Sequence, residues 1–340
     1  MIVAKFSDLF TPLCERLGCR FPILQAGMGG VARAELAAAV SQAGAFGCLG
    51  MVRESPEKIR QQVHQVRSLT DQPFAVNLIP AATQSELFDA ELDECIRLQV
   101  PNLVFFWDVV PGAVRRAKDA GCCVIHQVGS VEQAVLAEAS GADVIVAQGV
   151  EAGGHVHGVV SSLVLVPEIV DAVSVPVVGS GGFASGRSLV AALALGAQGI
   201  HCGTAFLATV ESFAHDIHKR RVLDANAGDT IHTDAFTINW PPHSPVRVLK
   251  SEATQGIESE PFGHGERIEP REQIAEEEGR PVYFRSTDSP LKSMTGELHK
   301  LAMYAGQVTG QVKDVATASD VVDRIVSEAV ATIHQLSECK

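Results

Sequence analysis

The feature that most constrains the fold is a repeat of short apolar runs through the first 205 residues. Each run is too short for a helix and ends in glycine or a polar residue. Together they are rich in Val, Ile and Phe, as buried parallel strands are. The eight runs are Pro22–Gln25, Ala45–Leu49, Phe74–Leu78, Leu103–Trp107, Cys123–Gln127, Val144–Gln148, Val177–Gly179 and Gly199–Cys202. The repeat predicts eight parallel strands.

Segments with helical spacing separate these runs. The clearest are Ala32–Ala43, Glu57–Ser68, Gly112–Ala120, Val131–Ser140 and Gly186–Leu195. A glycine just beyond the last helical turn, such as Gly141, is an expected stop signal because it accepts positive φ without steric cost. Eight such units predict an α/β fold, a (β/α)8 TIM barrel in residues 1–209. A doubly wound sheet is the alternative, but Gly27-Met-Gly-Gly does not continue as its Gly-x-Gly-x-x-Gly fingerprint.

The composition changes after Thr204. Residues 210–295 hold His, Pro, Glu and Arg in irregular order, which predicts a partly helical lid or substrate subdomain inserted after the eighth strand. Residues 296–340 regain helical periodicity, and we expect C-terminal helices that return to the barrel. The strongest periodicity covers Ser319–Leu336, with Ser319 as a candidate N-cap.

Composition excludes several classes of function. The 27 basic and 40 acidic residues give a net charge of −13, which disfavours nucleic-acid binding. Neither a signal peptide nor an apolar segment long enough to span a bilayer is recognisable, so we expect a cytoplasmic protein that does not enter the membrane. The eight cysteines form no Cys-x-x-Cys pair, and we interpret them as reduced and structural.

Two glycine-rich loops follow the last two predicted strands. Ser180-Gly-Gly182 comes after strand seven and Gly203-Thr204 after strand eight, where barrel enzymes often bind a phosphate. Glycine lets the backbone approach an anion closely, and loop N–H groups favour one. Either pair alone would favour a simple tight turn. Both together, on adjacent strands, favour a phosphate site.

Three amide side chains lie at or just past strand ends in apolar surroundings: Asn77, Gln127 and Gln148. A buried amide without a partner costs on the order of 1–3 kcal/mol, so three of them suggest a shared polar ligand. A flat ring with N and O edge atoms, such as an isoalloxazine, would suit them. The alternative is that nearby backbone satisfies each amide.

His155 is the leading candidate for proton transfer. It follows Glu151-Ala-Gly-Gly in a flexible loop, and imidazole suits proton transfer near neutral pH. His157 raises a metal site as an alternative, although two alternating histidines without further ligands are weak evidence, and we assign no metal. Glu151 is either an orienting group or a solvated carboxylate. We interpret His126 and His201 as core or surface residues.

These loops resemble those of the nitronate monooxygenase family, whose members were formerly called 2-nitropropane dioxygenases. The Glu-Ala-Gly-Gly-His string is the most specific element. The matching stretches are Pro22–Gly30, Phe74–Asn77, Gln148–His155, Val178–Gly182, Gly199–Thr204 and Tyr304–Gln307. Residues 210–295 match nothing recognisable. The resemblance implies a TIM barrel with a lid and FMN bound noncovalently at the strand ends.

The resemblance also implies roles for individual residues. It places the FMN phosphate on Gly181, Gly182, Gly203 and Thr204, and the flavin ring beside Gly27, Met28, Asn77, Gln127 and Gln148. His155 falls on the family's catalytic histidine. The remaining cofactor-binding candidates lie in the same matching stretches: Gly153, Gly154, Ser180, Tyr304 and Gln307.

The implied reaction is oxidation of an alkyl nitronate, with FMN and O2, to a carbonyl compound and nitrite. For a neutral nitroalkane, His155 would first remove the acidic α-proton. FMN-dependent enoyl-acyl-carrier-protein reductases share a similar string, and some relatives are NAD(P)H:quinone reductases. An NAD(P)H-dependent reductase is therefore the alternative, and a flavin-binding module without activity is a third. The sequence leaves open whether the protein forms a homodimer.

Overall fold

A computed structural model of the chain describes residues 9–266 and 270–338. Eight parallel strands form one sheet, and each corresponds to one of the predicted apolar runs. They are β1 (Ile23–Gln25), β2 (Gly47–Gly50), β3 (Phe74–Leu78), β4 (Asn102–Phe106), β5 (Cys123–Val128), β6 (Val144–Gln148), β8 (Val177–Ser180) and β9 (Gly199–Cys202). β7 is a two-residue strand (Gly154–His155) outside this sheet.

The sheet closes on itself. Its strand order is β1-β9-β8-β6-β5-β4-β3-β2, and a parallel bridge between Leu24 and Phe46 joins the two ends. The Gln25 N–H donates to the Phe46 carbonyl at 2.9 Å. Each strand therefore has two neighbours and the barrel has no free edge. The predicted (β/α)8 barrel is confirmed.

A ring of helices covers the outside of the barrel. They are α2 (Ala34–Gln42), α3 (Pro56–Leu69), α4 (Ser85–Arg97), α5 (Pro111–Asp119), α6 (Val131–Ser140), α7 (Ser162–Ala172) and α8 (Gly186–Ala194). The short α9 (Thr204–Leu207) follows β9, and α11 (Ala318–Glu338) packs between α8 and α2, where it completes the ring. The apolar faces of these helices and the outward strand residues form the larger core.

A second core fills the barrel interior. Branched and aromatic side chains from the strands, including Phe46, Val104 and Ile125, pack there against Leu13 and Leu17 of α1 (Pro12–Leu17). The Thr11 hydroxyl donates to the carbonyl of Gln198, just before β9, so α1 covers the amino-terminal end of the strands. The carboxyl-terminal end is left for a ligand site.

The described part of the insertion after the barrel contains more β-strand than helix, between long irregular segments. One antiparallel sheet joins β10 (Thr230–Thr233), β11 (Val246–Leu249) and β7; another joins β12 (Gln273–Glu277), β13 (Arg280–Tyr283) and β14 (Met294–Gly296). The expectation of a partly helical insertion holds only for α10 (Asp216–Asp224). Because β7 precedes the insertion in the chain and pairs with β11, the barrel loop after β6 is built into the lid.

The C-terminal region has two parts. Residues 298–312 pack with the inserted elements in one apolar cluster, through side chains such as Leu301 and Met303. α11 then runs along the barrel. The Ser319 N-cap expectation is wrong, because Thr317 and Asp320 cap the helix reciprocally. The Thr317 hydroxyl accepts the Asp320 N–H at 3.1 Å, and the Asp320 carboxylate accepts the Thr317 N–H at 3.2 Å.

Within the described residues, no helix is long and apolar enough to cross a bilayer.

Candidate active site

A cavity of about 570 Å³ opens at the carboxyl ends of the barrel strands, beneath the lid. Fourteen of the fifteen residues proposed from sequence line it: Gly27, Met28, Asn77, Gln127, Gln148, Gly153, Gly154, His155, Ser180, Gly181, Gly182, Gly203, Thr204 and Tyr304. Gln307, the fifteenth, is not among the residues that line the cavity. Its side chain is exposed and its backbone N–H donates to the Glu151 carbonyl at 3.0 Å.

The glycine-rich loops meet at one side of this cavity. Gly181 and Gly182 have φ angles of 84° and 81°. Other residues adopt this conformation only with strain. Two successive left-handed residues leave backbone N–H groups free to turn toward an anion. Gly203 lies nearby on the same wall, where a Cβ would meet only Ala26 and Met28 at van der Waals distance.

The predicted amides lie on the cavity wall in different environments. The Asn77 amide donates to the Val104 carbonyl at 3.1 Å, and the Gln148 amide donates to the His155 carbonyl at 2.9 Å. A backbone carbonyl thus accepts a hydrogen bond from the amide NH2 group of each side chain. The Gln148 Oε1 atom is buried and makes no hydrogen bond within the described chain. An acceptor held in this way is suited to a ligand N–H.

His155 is held in the lid sheet, with its imidazole in the cavity. It pairs with Val246 of β11, and only 8% of the residue is exposed. Nε2 has no hydrogen-bond partner among the described residues. Burial, and then the positive charge of Arg53, lower the pKa of His155 well below its ordinary value. The imidazole is therefore neutral at physiological pH and can accept a proton.

Aromatic side chains enclose His155, and of these only Tyr304 was predicted from the sequence as a site residue. The Trp240 ring lies parallel to the imidazole, with centroids 3.4 Å apart and an interplanar angle of 12°. Trp107 contacts both rings edge-on. Tyr304 lies 6.0 Å from His155 and donates its hydroxyl to the Thr287 carbonyl at 2.7 Å. Stacking covers an imidazole face and leaves the nitrogens on the ring edge available.

Charged side chains also line the cavity, although the loops examined in the sequence contained few. They are Arg33, Arg53, Glu54, Glu151, Glu277, Arg280 and Asp288. Most form one network, in which Arg280 lies 2.7 Å from Glu277 and 3.0 Å from Asp288. Three of the four members of this network, Glu277, Arg280 and Asp288, lie in the β12–β13 hairpin and the segment after it, for which the sequence offered no recognisable motif.

Comparison with known proteins identifies the family. The model of the nitronate monooxygenase family matches residues 11–104 and 81–328, which together cover most of the chain. The chain belongs to the nitronate monooxygenase family. It is a flavin-dependent oxidoreductase, as the resemblance of its loops implied.

Two kinds of relative are similar to this family member. A probable nitronate monooxygenase of Bacillus subtilis (strain 168) is 37% identical over 256 residues, which cover 64% of this chain and 74% of the relative. A (3aS,4S,5R,7aS)-5-hydroxy-7a-methyl-1-oxo-octahydro-1H-indene-4-carboxyl-CoA dehydrogenase of Mycobacterium tuberculosis (strain ATCC 25618 / H37Rv) is 31% identical over 359 residues. That alignment covers 97% of this chain and 98% of the relative.

Solved structures show the same fold over nearly the whole chain. FabK from Thermotoga maritima superposes with a TM-score of 0.82 at 29% identity, covering 96% of this chain and 98% of that one. Nitroalkane oxidase from Streptomyces ansochromogenes gives a TM-score of 0.77 at 28% identity, covering 95% and 99%. Both similarities extend through the lid as well as the barrel.

Other polar residues considered from the sequence have structural contacts in this family member. The Glu151 carboxylate accepts the Ser162 N–H and hydroxyl at 3.0–3.1 Å, which fixes the start of α7. His157 packs edge-on against Trp107 and lies outside the cavity. His201, interpreted as a core or surface residue, lines the cavity and contacts the Ser180 hydroxyl at 3.1 Å. Within the described residues, no three acidic, His or Cys side chains form a metal-binding group.

The cavity fits a phosphorylated flavin. The left-handed Gly181-Gly182 pair can hold a phosphate through backbone N–H groups. The unpaired Gln148 Oε1 can accept from the ring N–H of an isoalloxazine. Gly27 packs so closely on Asn77 that a Cβ there would collide with the Asn77 side chain, so this wall has no room for a larger residue.

Proposed function

We propose that this enzyme uses FMN to oxidise alkyl nitronates, and their parent nitroalkanes, with O2 to carbonyl compounds and nitrite. The observation that carries the proposal is His155: a neutral, buried imidazole that lines the cavity and whose Nε2 has no partner within the described chain. A base placed in this way suits removal of the acidic proton next to a nitro group. FMN, held by the residues of this cavity, would supply the redox chemistry between the substrate and O2.

The chain's own residues would serve this reaction in three ways. Backbone N–H groups of Gly181, Gly182, Gly203 and Thr204 would hold the phosphate, and Asn77, Gln127 and Gln148 would contact the ring. His155 Nε2 would take the α-proton of a neutral nitroalkane. The rings of Trp107 and Trp240 would keep water from the imidazole, which preserves its neutral form.

Purified protein tests the proposal directly. We expect a yellow preparation with an FMN absorption spectrum, which consumes O2 when an alkyl nitronate is added without nicotinamide. Flavin-replete protein that does not consume O2 with propane-2-nitronate would contradict nitronate oxidation. A colourless protein that takes up no FMN would contradict the cofactor assignment itself.

A reductase or dehydrogenase acting on a thioester is the second candidate. The observation that favours it is the length of the alignments. The Mycobacterium tuberculosis CoA dehydrogenase aligns with 97% of this chain, whereas the Bacillus subtilis relative aligns with 64%. Anaerobic mixing with NADH or NADPH separates the two candidates. Rapid bleaching of the flavin by either nucleotide supports an NAD(P)H-dependent reductase on an enoyl thioester or quinone, whereas nitronate oxidation requires no such step.

A further inference from the structure

Arg53 occupies an unusual position in the loop after β2. Its φ of 58° places a long side chain in the left-handed region. Such strain persists only where the surroundings enforce it. Arg53 lines the cavity, and its Nη1 donates to the carbonyl of Asn239, the residue before Trp240. The loop therefore directs Arg53 to the side of the lid that covers His155.

Arg53 differs from the other two arginines of the cavity in its partners. Arg280 forms ion pairs with Glu277 and Asp288, and Arg33 lies 3.9 Å from Glu277. Arg53 forms no ion pair with a carboxylate of the described chain; its hydrogen bond goes to a neutral carbonyl. A guanidinium carries five N–H donors, so the one bond to Asn239 leaves several available.

The charge of Arg53 is costly where it lies. Burial lowers the pKa of Arg53, with Asp288 the largest opposing influence. A buried cation without a close counter-ion is unfavourable unless an anion joins it. Its field also reaches His155, where it contributes to the lowered pKa of the imidazole. Because Arg53 bonds to Asn239 and the next residue, Trp240, stacks on His155, an anion bound by Arg53 would lie on the same side of the cavity as the proposed base.

We propose that Arg53 is the specificity-determining residue that binds the planar two-oxygen anion of the substrate, the nitronate group or a carboxylate of the same shape. This inference rests on the proposed function, since a nitronate carries its negative charge on two oxygens of one nitrogen. A guanidinium matches that geometry with two parallel N–H donors. Binding there places the adjacent carbon toward His155.

Equilibrium binding tests the proposal without turnover. The two tryptophans of the chain, Trp107 and Trp240, both pack against His155, so intrinsic fluorescence reports on the cavity. Isobutyrate is an unreactive carboxylate with the shape of propane-2-nitronate, and isobutyramide is its neutral counterpart. We expect flavin-loaded wild-type enzyme to bind isobutyrate at least tenfold more tightly than isobutyramide. Equal affinity for the two would overturn the proposal before any variant is made.

Variants then assign the discrimination to Arg53. We expect Arg53→Gln to lower the affinity for isobutyrate at least tenfold and to change the affinity for isobutyramide by less than twofold. We expect Arg53→Lys to recover part of the lost affinity for isobutyrate. Arg285→Gln is the matched control, because Arg285 is also half-buried, has a φ of 55°, lacks an ion pair in the described chain and lies outside the cavity. The assignment would be overturned if Arg53→Gln lost affinity for both ligands together, or if Arg285→Gln lost as much affinity for isobutyrate as Arg53→Gln.

Turnover separates this inference from the proposed function. If the enzyme oxidises propane-2-nitronate, we expect Arg53→Gln to raise KM at least tenfold with a smaller change in kcat. Isobutyrate discrimination that depends on Arg53 supports the anion site even where nitronate oxidation is absent, and in that case only the proposed reaction fails. An unchanged KM in Arg53→Gln would overturn the inference while leaving nitronate oxidation intact.

Discussion

His155 is the residue on which the proposed chemistry depends. General base catalysis contributes about 10²- to 10⁴-fold, so we expect His155→Gln to lower turnover of 2-nitropropane by at least about 100-fold. Preformed propane-2-nitronate needs no proton removal, so its turnover should fall far less in this variant. The measurement is O2 consumption with each substrate at matched flavin content. Equal losses with both substrates would show that His155 does not act as the base.

The protonation of His155 sets the expected pH dependence. Its pKa in the folded enzyme lies below the ordinary value of about 6.5. As pH falls through that lowered pKa, the imidazole gains a proton and can no longer act as a base. We therefore expect kcat/KM for 2-nitropropane to stay level above pH 6.5 and to fall only at lower pH. An inflection above pH 7 that disappears in His155→Gln would contradict a neutral, buried base.

Site residues could be predicted from the sequence where they lie in a recognisable motif or at the end of a predicted strand. Glycines and amides at strand ends can be placed on one rim because parallel strands all end there. Trp240 and Arg53 could not be assigned in this way, because their roles depend on how the lid folds over the barrel. Gln307 shows the converse: a residue next to Gly306 on a matching stretch still points to solvent.

At the scale of elements, the loop after β6 ties the barrel to the lid. Gly153 packs so closely on the backbone of Ala305 and Gly306 that an added Cβ would collide with both. We expect Gly153→Ala to separate this loop from the 304–306 segment, to displace His155, and to lower the thermal midpoint by several degrees. Thermal unfolding and flavin content measure the effect.

Gly112→Ala provides the matched control for that substitution. Gly112 lies in α5, and a Cβ there meets nothing within 4 Å. Alanine favours a helix over glycine by about 1 kcal/mol, so we expect this variant to be unchanged or slightly stabilised. If Gly153→Ala behaved like Gly112→Ala, the close approach of the two loops would not be a structural requirement.

Strands were easier to predict than helices in this chain. All eight barrel strands are buried on both faces and are therefore apolar runs that composition reveals. α4 and α7 were not singled out: α4 is rich in charged residues, and α7 contains Pro167. The lid strands β12 and β13 are short and partly exposed, so neither an apolar run nor a regular alternation of apolar and polar residues predicts them.

At the scale of the whole molecule, the barrel and lid bury several titratable groups away from water. His126, His201 and His218 are buried, and burial lowers the pKa of each to about 4. Burial raises the pKa of Glu91, on α4 beneath the Arg53 loop, to about 8. The histidines are neutral in the folded protein, and Glu91 stays protonated up to about pH 8. Both preferences connect protein stability to pH.

The three histidines and Glu91 act in opposite directions. Between pH 6.5 and 4 the unfolded chain binds protons on histidines that the folded protein leaves neutral, so the free energy of unfolding falls as pH falls. Between pH 4.5 and 8 the folded protein holds a proton on Glu91 that the unfolded chain releases, so stability falls as pH rises. Near pH 5 these three histidines and Glu91 together differ by about two protons between the two states, which corresponds to about 3 kcal/mol per pH unit. His155 and His232, whose pKa values burial also lowers, act in the same direction as the three histidines.

We therefore expect the urea midpoint of flavin-loaded protein to be highest between pH 6.5 and 7, to drop toward pH 5 and to decline more gently toward pH 8. Glu91→Gln removes the carboxyl that loses its proton, so this variant should keep its midpoint from pH 6.5 to 8 while still losing stability toward pH 5. A wild-type midpoint that is flat between pH 5 and 6.5 would contradict the buried neutral histidines. An alkaline decline that survives in Glu91→Gln would mean that another group, and not the carboxyl beneath the Arg53 loop, is responsible.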